Sequence, residues 1–434
     1  MGQLIRPFTK PTVRTSRAGF ARRLGGALLR LLGLTLLAIT AVPLLLLPFV
    51  TATPPWAWTL LAALNLTLVA GAFLFAPPGL SWPIALLGTT LVAALATGAS
   101  QRFATTPLIL GADGRPLPGS IASLEPVELN GSRQWISIRG HDARKPVLLF
   151  LAGGPGGSQL AATRKVLGAL EEHFVVVNWD QPGAGKSYDA VPRDRLTPAL
   201  LITDGLTLAR ALRERFGQEK IYLAGESWGS ALAVWMARRE PEQFHAVVGM
   251  GQMVAFAQTD LDCYETALRI ARERGDTAKA AQLEAQGPPP YPDETLMRNE
   301  ANYLLYLSAV MNSNPAISGP GYDTLGDIAA PEYGLIDKIN YVRGIMDTYT
   351  RLWPQLWDVD LRQDAPRLDV PIYILEGRHD LNASPYLAEE YARILQAPHK
   401  ELIWFEHSGH SLWIDESERF VEVLVKHVLP GPQR

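Results

Sequence analysis

Hydrophobic positions are distributed unevenly along the chain. Three almost unbroken apolar runs come first, at roughly Gly26–Val50, Trp56–Ala76 and Leu80–Gly98. A helix of about 20 residues crosses a hydrocarbon layer of roughly 30 Å, and each run reaches that length. Beyond Arg30 none of them holds an ionisable side chain. Pro54–Pro55 and Pro77–Pro78 separate the runs, and linkers this short make consecutive spans antiparallel. Trp56, Trp58 and Trp82 stand near run ends, where indole favours the membrane–water interface. A cleaved signal peptide has a single apolar region of roughly 7–15 residues, so this pattern predicts a membrane anchor of three spans.

After residue 112 the pattern changes to short apolar runs alternating with helical periodicity. Leu124–Asn130 and Ser132–Arg139 alternate apolar and polar residues on either side of Asn130–Gly131, which predicts a hairpin. Val147–Leu151, Phe174–Trp179, Lys220–Ala224, Ala246–Met250, Ile372–Leu375 and Leu402–Phe405 are continuous apolar runs, the pattern of strands covered on both faces. Leu201–Phe216 has the spacing of an amphipathic helix. Strands alternating with helices imply an α/β fold with a mostly parallel sheet and helices on both faces. From about Ala255 to Ala365 no buried strand is expected and the pattern is helical. Such a length is too great for a loop and reads as a helical lid. The expected organisation is therefore residues 1–112 as basic leader and membrane region, and 113–434 as an α/β domain with its lid.

Charge sharpens this division. Residues 1–112 contain eight Lys/Arg and no acid, whereas the remainder holds 43 acids against 32 bases, so the two parts carry +8 and −11. An acidic catalytic part excludes a generally basic nucleic-acid binder. Seven of the eight bases precede or begin the first span, which puts the N-terminus in the cytoplasm. Three crossings then carry the catalytic part to the extracytoplasmic side. The single cysteine, Cys263, has no partner for an internal disulfide and reads as a small buried hydrophobe.

The candidate chemistry lies at strand ends. Gly225-Glu226-Ser227-Trp228-Gly229 follows one strand and precedes a helical pattern, the setting of a nucleophile elbow. The turn is tight enough that only small residues fit two before and two after the serine. A serine nucleophile needs a base, and the base an orienting acid, in the chain order Ser, Asp or Glu, His. Asp380 follows Ile372–Leu375 and His410 follows Leu402–Phe405, so Ser227, Asp380 and His410 are the expected triad. Glu376 and Asp415 are rival acids, and His407 and His379 rival bases. The glycine-rich loop Ala152–Ser158 supplies a backbone N–H for an oxyanion from Gly153 or Gly154, and Trp228 supplies the second. Asp180–Ser187 ends like a phosphate-binding loop but has Asp180 where that motif needs glycine, so it implies no nucleotide. No His/Cys spacing suits a metal, and triad chemistry needs no cofactor.

Gly153-Gly-Pro-Gly, Trp179–Ser187, Gly225–Ser230, Gly377–Asp380 and Ser408–Ser411 together resemble the α/β-hydrolase family of proline iminopeptidases, over roughly residues 120–430. Ala152, Pro182 and Glu226 stand where that family usually has His, Arg and Gly, departures that bear on substrate preference. The resemblance implies release of an N-terminal residue, often proline, from a short peptide through an acyl-enzyme. It also implies an acid near the lid to hold the substrate's ammonium, with Glu226, Glu265, Glu294 and Glu300 as candidates. An ester or lactone substrate on the same triad is the alternative expectation, and a non-catalytic binding module a third. The expected partners are a small peptide or ester and the lipid bilayer. Oligomeric state is not legible in the sequence.

Overall fold

The computed structural model describes residues 17–77 and 79–431. The leader residues Arg6, Lys10 and Arg14, and Pro78 of the second linker, lie outside these. The chain divides into two compact units, one ending at Ala99 and the other holding Val50–Ala52 and everything from Ser100 onward.

The first unit is helical: Arg17–Thr40, Val42–Val50, Pro55–Phe75 and Ser81–Phe103, the last ending in the second unit. Three stretches, Arg23–Val50, Pro55–Phe75 and Ser81–Phe103, are long and apolar enough to cross a membrane. The first expected span is interrupted at Ala41, just before Pro43, whose ring crowds the preceding turn and which has no N–H for the ladder. The third runs to Phe103, five residues beyond the expected end. Several threonine hydroxyls in these helices are satisfied locally, whereas Asn65 Oδ1 and Thr89 Oγ1 are buried without a partner. The hydroxyls of Thr35, Thr59, Thr67 and Thr90 each donate to the carbonyl four residues back, which spares an apolar solvent an unpaired donor. Trp82 packs edge-on to Phe73 at 4.9 Å and lies where a Cβ on Gly33 would stand, so glycine is needed there for close approach.

The second unit is built on one eight-stranded sheet: β1 (Ile121–Leu129), β2 (Ser132–Gly140), β3 (Val147–Leu151), β4 (Val175–Asp180), β5 (Ile221–Glu226), β6 (Phe244–Met250), β7 (Ile372–Gly377) and β8 (Lys400–Phe405). The spatial order is β1-β2-β4-β3-β5-β6-β7-β8. β1 and β2 pair antiparallel, as do β2 and β4, and every pairing from β4 to β8 is parallel. The hairpin turn sits at Asn130–Gly131, with φ of +49° and +81°, as a two-residue turn with matching twist requires. Asn130 and Gln134 both donate to the buried Asp204 carboxylate at 2.6 Å, tying the hairpin to the helix Pro198–Phe216.

The apolar strand runs have a direct explanation in packing. Along β3, Val147, Leu149 and Leu151 join one core layer while Leu148 and Phe150 join the layer on the opposite face. Both faces are covered, so no position can be polar. Since β3 to β8 point the same way, the turns after β3, β5, β7 and β8 all emerge on one edge of the sheet, where open α/β folds bind ligands. Between β6 and β7 every element is helical, beginning with Phe256–Glu273, Thr277–Gln286 and Asp293–Asn312.

Candidate active site

Ser227 ends β5 and begins the helix Trp228–Arg239 with φ of +53° and ψ of −121°. Asn130 is the other non-glycine residue with positive φ among the described residues. The elbow holds because its neighbours are small: a Cβ on Gly225 would strike the carbonyl of Gly229, and one on Gly229 the carbonyl of Leu151. The Ser227 N–H donates to Met250 O at 2.8 Å, and the Ser230 hydroxyl donates to Ser227 O at 2.6 Å. These bonds fix the strained residue between β5 and β6.

His410 Nδ1 lies 2.7 Å from Asp380 Oδ2. The other carboxylate oxygen, Asp380 Oδ1, accepts the backbone N–H of Asn382 at 2.7 Å and of Ala383 at 3.0 Å, so the acid cannot swing. Burial alone would lower the pKa of the imidazole. The Asp380 charge and hydrogen bond, aided by Glu226 and Asp415, outweigh it and raise the pKa to about 9. The other candidate acids and bases have the following surroundings. Glu376 Oε1 accepts Gln252 N–H at 2.7 Å, and its pKa is pushed well up by burial and then by the charge of Asp380. Asp415 accepts Gly409 N–H at 2.9 Å and so braces the loop before His410. His407 is exposed, and the backbone N–H of His379 is bonded to Ser408 O at 3.0 Å.

Ser227, His410, Gly153, Gly154, Glu226 and Tyr322 line one hollow of about 250 Å³. An adjoining hollow of about 320 Å³ shares His410 and Tyr322. Gly153 comes within ordinary contact of Ser227, its hypothetical Cβ lying 3.5 Å from the serine Cβ. Gly154 has φ of +125°, a conformation open to glycine. The Trp228 N–H belongs to the first turn of its helix, where backbone donors have no helical acceptor.

Glu226 is one of several buried acids, and of these it lines the hollow with Ser227 and His410. It is 2 % exposed. Its Oε2 accepts from Gln159 and from the Tyr322 hydroxyl, while its Oε1 is buried without a hydrogen-bond partner. The other lid acids do not join it. Glu265 is exposed and lines a second hollow with Asp262, Arg269 and Asp380, one that does not include Ser227. It stands two residues after Cys263 on a helix whose buried face holds Asp260, Cys263, Tyr264 and Ala267, and so points outward. Glu294 is exposed. Glu300 is buried against the Tyr349 hydroxyl and lines a third hollow with Tyr291 and Trp353. Burial, and then the charge of Asp260, raise its pKa above the usual carboxylate range.

Sequence reasoning passed over several residues that shape this site. Gln181 accepts from Trp228 Nε1 at 3.0 Å and donates to Ala152 O at 3.2 Å, so one amide links the glycine loop to the nucleophile helix. It lies in the segment that resembles a phosphate loop. The rest of that segment is structural. Ser187 Oγ accepts Trp135 N–H at 2.8 Å, and Lys186 pairs with Asp337 at 2.6 Å. Gly251, at φ +51°, leaves the room that the His410 ring fills, since a Cβ there would lie 2.9 Å from its Cε1. Gln159 and Tyr322 are far from Glu226 in sequence and carry no local signal. Among the described residues no group of three His, Cys, Asp or Glu is arranged to hold a metal.

The model of the α/β-hydrolase fold family matches residues 146–417, well over half the chain. The chain is an α/β hydrolase. This hydrolase is 29% identical to the probable aminopeptidase YbaC of Bacillus subtilis, over 72% of this chain and 98% of that one. It is 26% identical to a proline iminopeptidase of Lactobacillus crispatus, over 68% of this chain and 94% of that one. Among solved structures, a proline iminopeptidase-related protein from Thermus thermophilus superposes with a TM-score of 0.50 at 25% identity, covering 70% of this chain and 96% of that one. The proline iminopeptidase of Mycobacterium smegmatis superposes at 0.51 with 19% identity over 71% and 98%, a likeness of fold.

Proposed function

We infer that this hydrolase is a membrane-anchored serine aminopeptidase that removes N-terminal residues from short peptides. One observation carries the choice of substrate: the unpartnered, buried Oε1 of Glu226 in the hollow that Ser227 and His410 line. A buried carboxylate oxygen without a donor is costly, and a substrate ammonium supplies that donor. Because Glu226 adjoins Ser227 in the chain, an ammonium held there belongs to the residue whose carbonyl the serine attacks.

On this reading the steps run as follows. Ser227 Oγ attacks the scissile carbonyl and His410 accepts its proton. Asp380 keeps the imidazole oriented and stabilises the imidazolium. The oxyanion is held by the N–H of Trp228 and that of Gly153 or Gly154. His410 returns the proton to the leaving amine, and water then releases the acyl group by the same route.

Glu226→Gln tests the ammonium assignment. The amide keeps an oxygen for Gln159 and Tyr322 but loses the charge. The kcat/KM for an alanyl or prolyl amide with a free N-terminus falls roughly 10²–10³-fold, the size expected when one partner of a buried charge pair is removed. A short ester without an ammonium loses far less. For that ester, kcat/KM rises with pH as His410 is deprotonated, near pH 9. In Glu226→Gln the limb moves to lower pH, because one charge favouring the imidazolium is gone. Equal losses on amide and ester contradict the assignment. An ester turned over far faster than any amide by the wild type favours the esterase or lactonase reading.

The basic leader and three apolar stretches support a cytoplasmic N-terminus and an extracytoplasmic catalytic unit. An alkaline phosphatase fused after Arg434, which matures only outside the cytoplasm, is then active. A silent phosphatase fusion beside an active cytoplasmic reporter at the same site reverses the topology.

A further inference from the structure

The helix Leu335–Arg343, continued by turns to Leu352, is inverted relative to a helix of a water-soluble domain. Its buried face carries Asp337, Lys338 and Asn340. Asp337 pairs with Lys186 at 2.6 Å, and the Lys338 ammonium donates to the carbonyls of Ile328 and Ala330 at 2.6 and 3.0 Å. The outward face carries Ile336, Ile339, Val342, Ile345 and Met346, exposed by 40–61 %. These five lie on the outward side at helical spacing, with the exposed Arg343 among them. Water gives no reason for satisfying charges inside while presenting isoleucines outside, and a contiguous apolar patch of this kind marks an interaction surface.

The same helix is bonded to the segment that follows the third apolar stretch. The N–H of Leu335 donates to Ser100 Oγ at 2.9 Å, and Gln101 Nε2 donates to Asp337 Oδ1 at 2.8 Å. Ser100 and Gln101 belong to the last turn of Ser81–Phe103, the third stretch long and apolar enough to span a membrane. Thr105 N–H to Pro331 O at 3.1 Å, and Thr106 Oγ1 to Glu332 at 3.1 Å, continue the attachment. The inverted helix is thus fastened to the chain where it leaves the third apolar helix. Two of its residues, Tyr341 and Ile345, line the hollow that holds Ser227.

We propose that the Ile336–Met346 face lies in the interface of the bilayer that anchors the chain, and that the Ser227 hollow opens beside it. Its substrates are then peptides or amides bearing an apolar tail, which reach Ser227 along the lipid boundary. This rests on the membrane part of the proposed function and not on the identity of the catalytic residues.

The test is depth-dependent fluorescence quenching in full-length protein reconstituted in phosphatidylcholine–phosphatidylglycerol vesicles. The one native cysteine, Cys263, is buried, so nitrobenzoxadiazole can be placed on single introduced cysteines. The positions are Ile339→Cys, Ile345→Cys, Leu66→Cys in the second apolar helix and Arg367→Cys on the exposed surface. An interfacial helix sits roughly 5–10 Å into the headgroup–acyl boundary, so lipids with a nitroxide near that boundary should quench probes 339 and 345 by about half or more, and probe 367 little. Quenching at 66 with none at 339 overturns the docking. Quenching at 339 but not at 345 overturns the lipid-side opening. No quenching at 66 by lipids with the nitroxide near the acyl-chain ends overturns the membrane anchor itself, and the docking with it.

Discussion

Ser227→Ala abolishes hydrolysis, with kcat falling on the order of 10⁵–10⁶-fold. The expectation rests on geometry as well as motif. Ser227 is held at φ +53° by Gly225, Gly229 and the bonds to Met250 and Ser230, none of which involves its hydroxyl. Alanine adopts the same backbone at the same cost, so the variant keeps its fold, visible as an unchanged near-ultraviolet circular dichroism spectrum. What disappears is the nucleophile alone. Covalent labelling by a fluorophosphonate disappears with it. A variant that retains more than about one hundredth of wild-type turnover shows that another group attacks.

Asp380→Asn produces the second large effect, a fall of about 10⁴-fold in kcat near neutral pH. The size follows from what Asp380 Oδ1 already does. It accepts two backbone N–H groups, from Asn382 and Ala383. In asparagine the carbonyl oxygen must keep those bonds, which turns the NH₂ toward His410 Nδ1. Two donors cannot share that position, so Nδ1 becomes the acceptor and the ring proton moves to Nε2, the atom that has to receive the serine proton. The variant also loses the charge that raises the His410 pKa to about 9, so any remaining activity rises with pH at a lower pH than in the wild type. Turnover measured from pH 6 to 10 reports both effects. A loss below about 100-fold points to another acid as the orienter, with Glu376 the first to test.

Much of the fold could be read from the chain because its signals are local. Val147–Leu151 stands as a strand at the expected bounds, since two covered faces allow no polar position. The Asn130–Gly131 turn and the glycines around Ser227 carry steric requirements that few other residues meet. Asp380 and His410 were legible because parallel strands deliver their C-terminal ends to one edge. Less legible were partners set by the lid. Glu226 adjoins Ser227, yet the hydroxyl that holds it comes from Tyr322 and the amide from Gln159. Glu265 was plausible by type, but the phase of its helix turns it away. Gln181 lay in a stretch whose glycines invited a different comparison, and its role depends on a tryptophan 47 residues further on.

The inverted helix belongs to the same lesson. The helical pattern expected from about Ala255 to Ala365 does not say which side of Leu335–Arg343 faces inward. The buried Asp337–Lys186 pair decides the orientation, and neither partner signals it alone.

The most direct test of the account compares initial rates of the purified wild-type hydrolase on three substrates. These are an alanyl or prolyl amide with a free N-terminus, the same amide acetylated, and a short acyl ester. The account predicts that the free amide is cleaved and that acetylation removes roughly 10²-fold or more of kcat/KM, because Glu226 then faces no ammonium. Equal rates on the free and acetylated amides, or turnover of the ester alone, would contradict it.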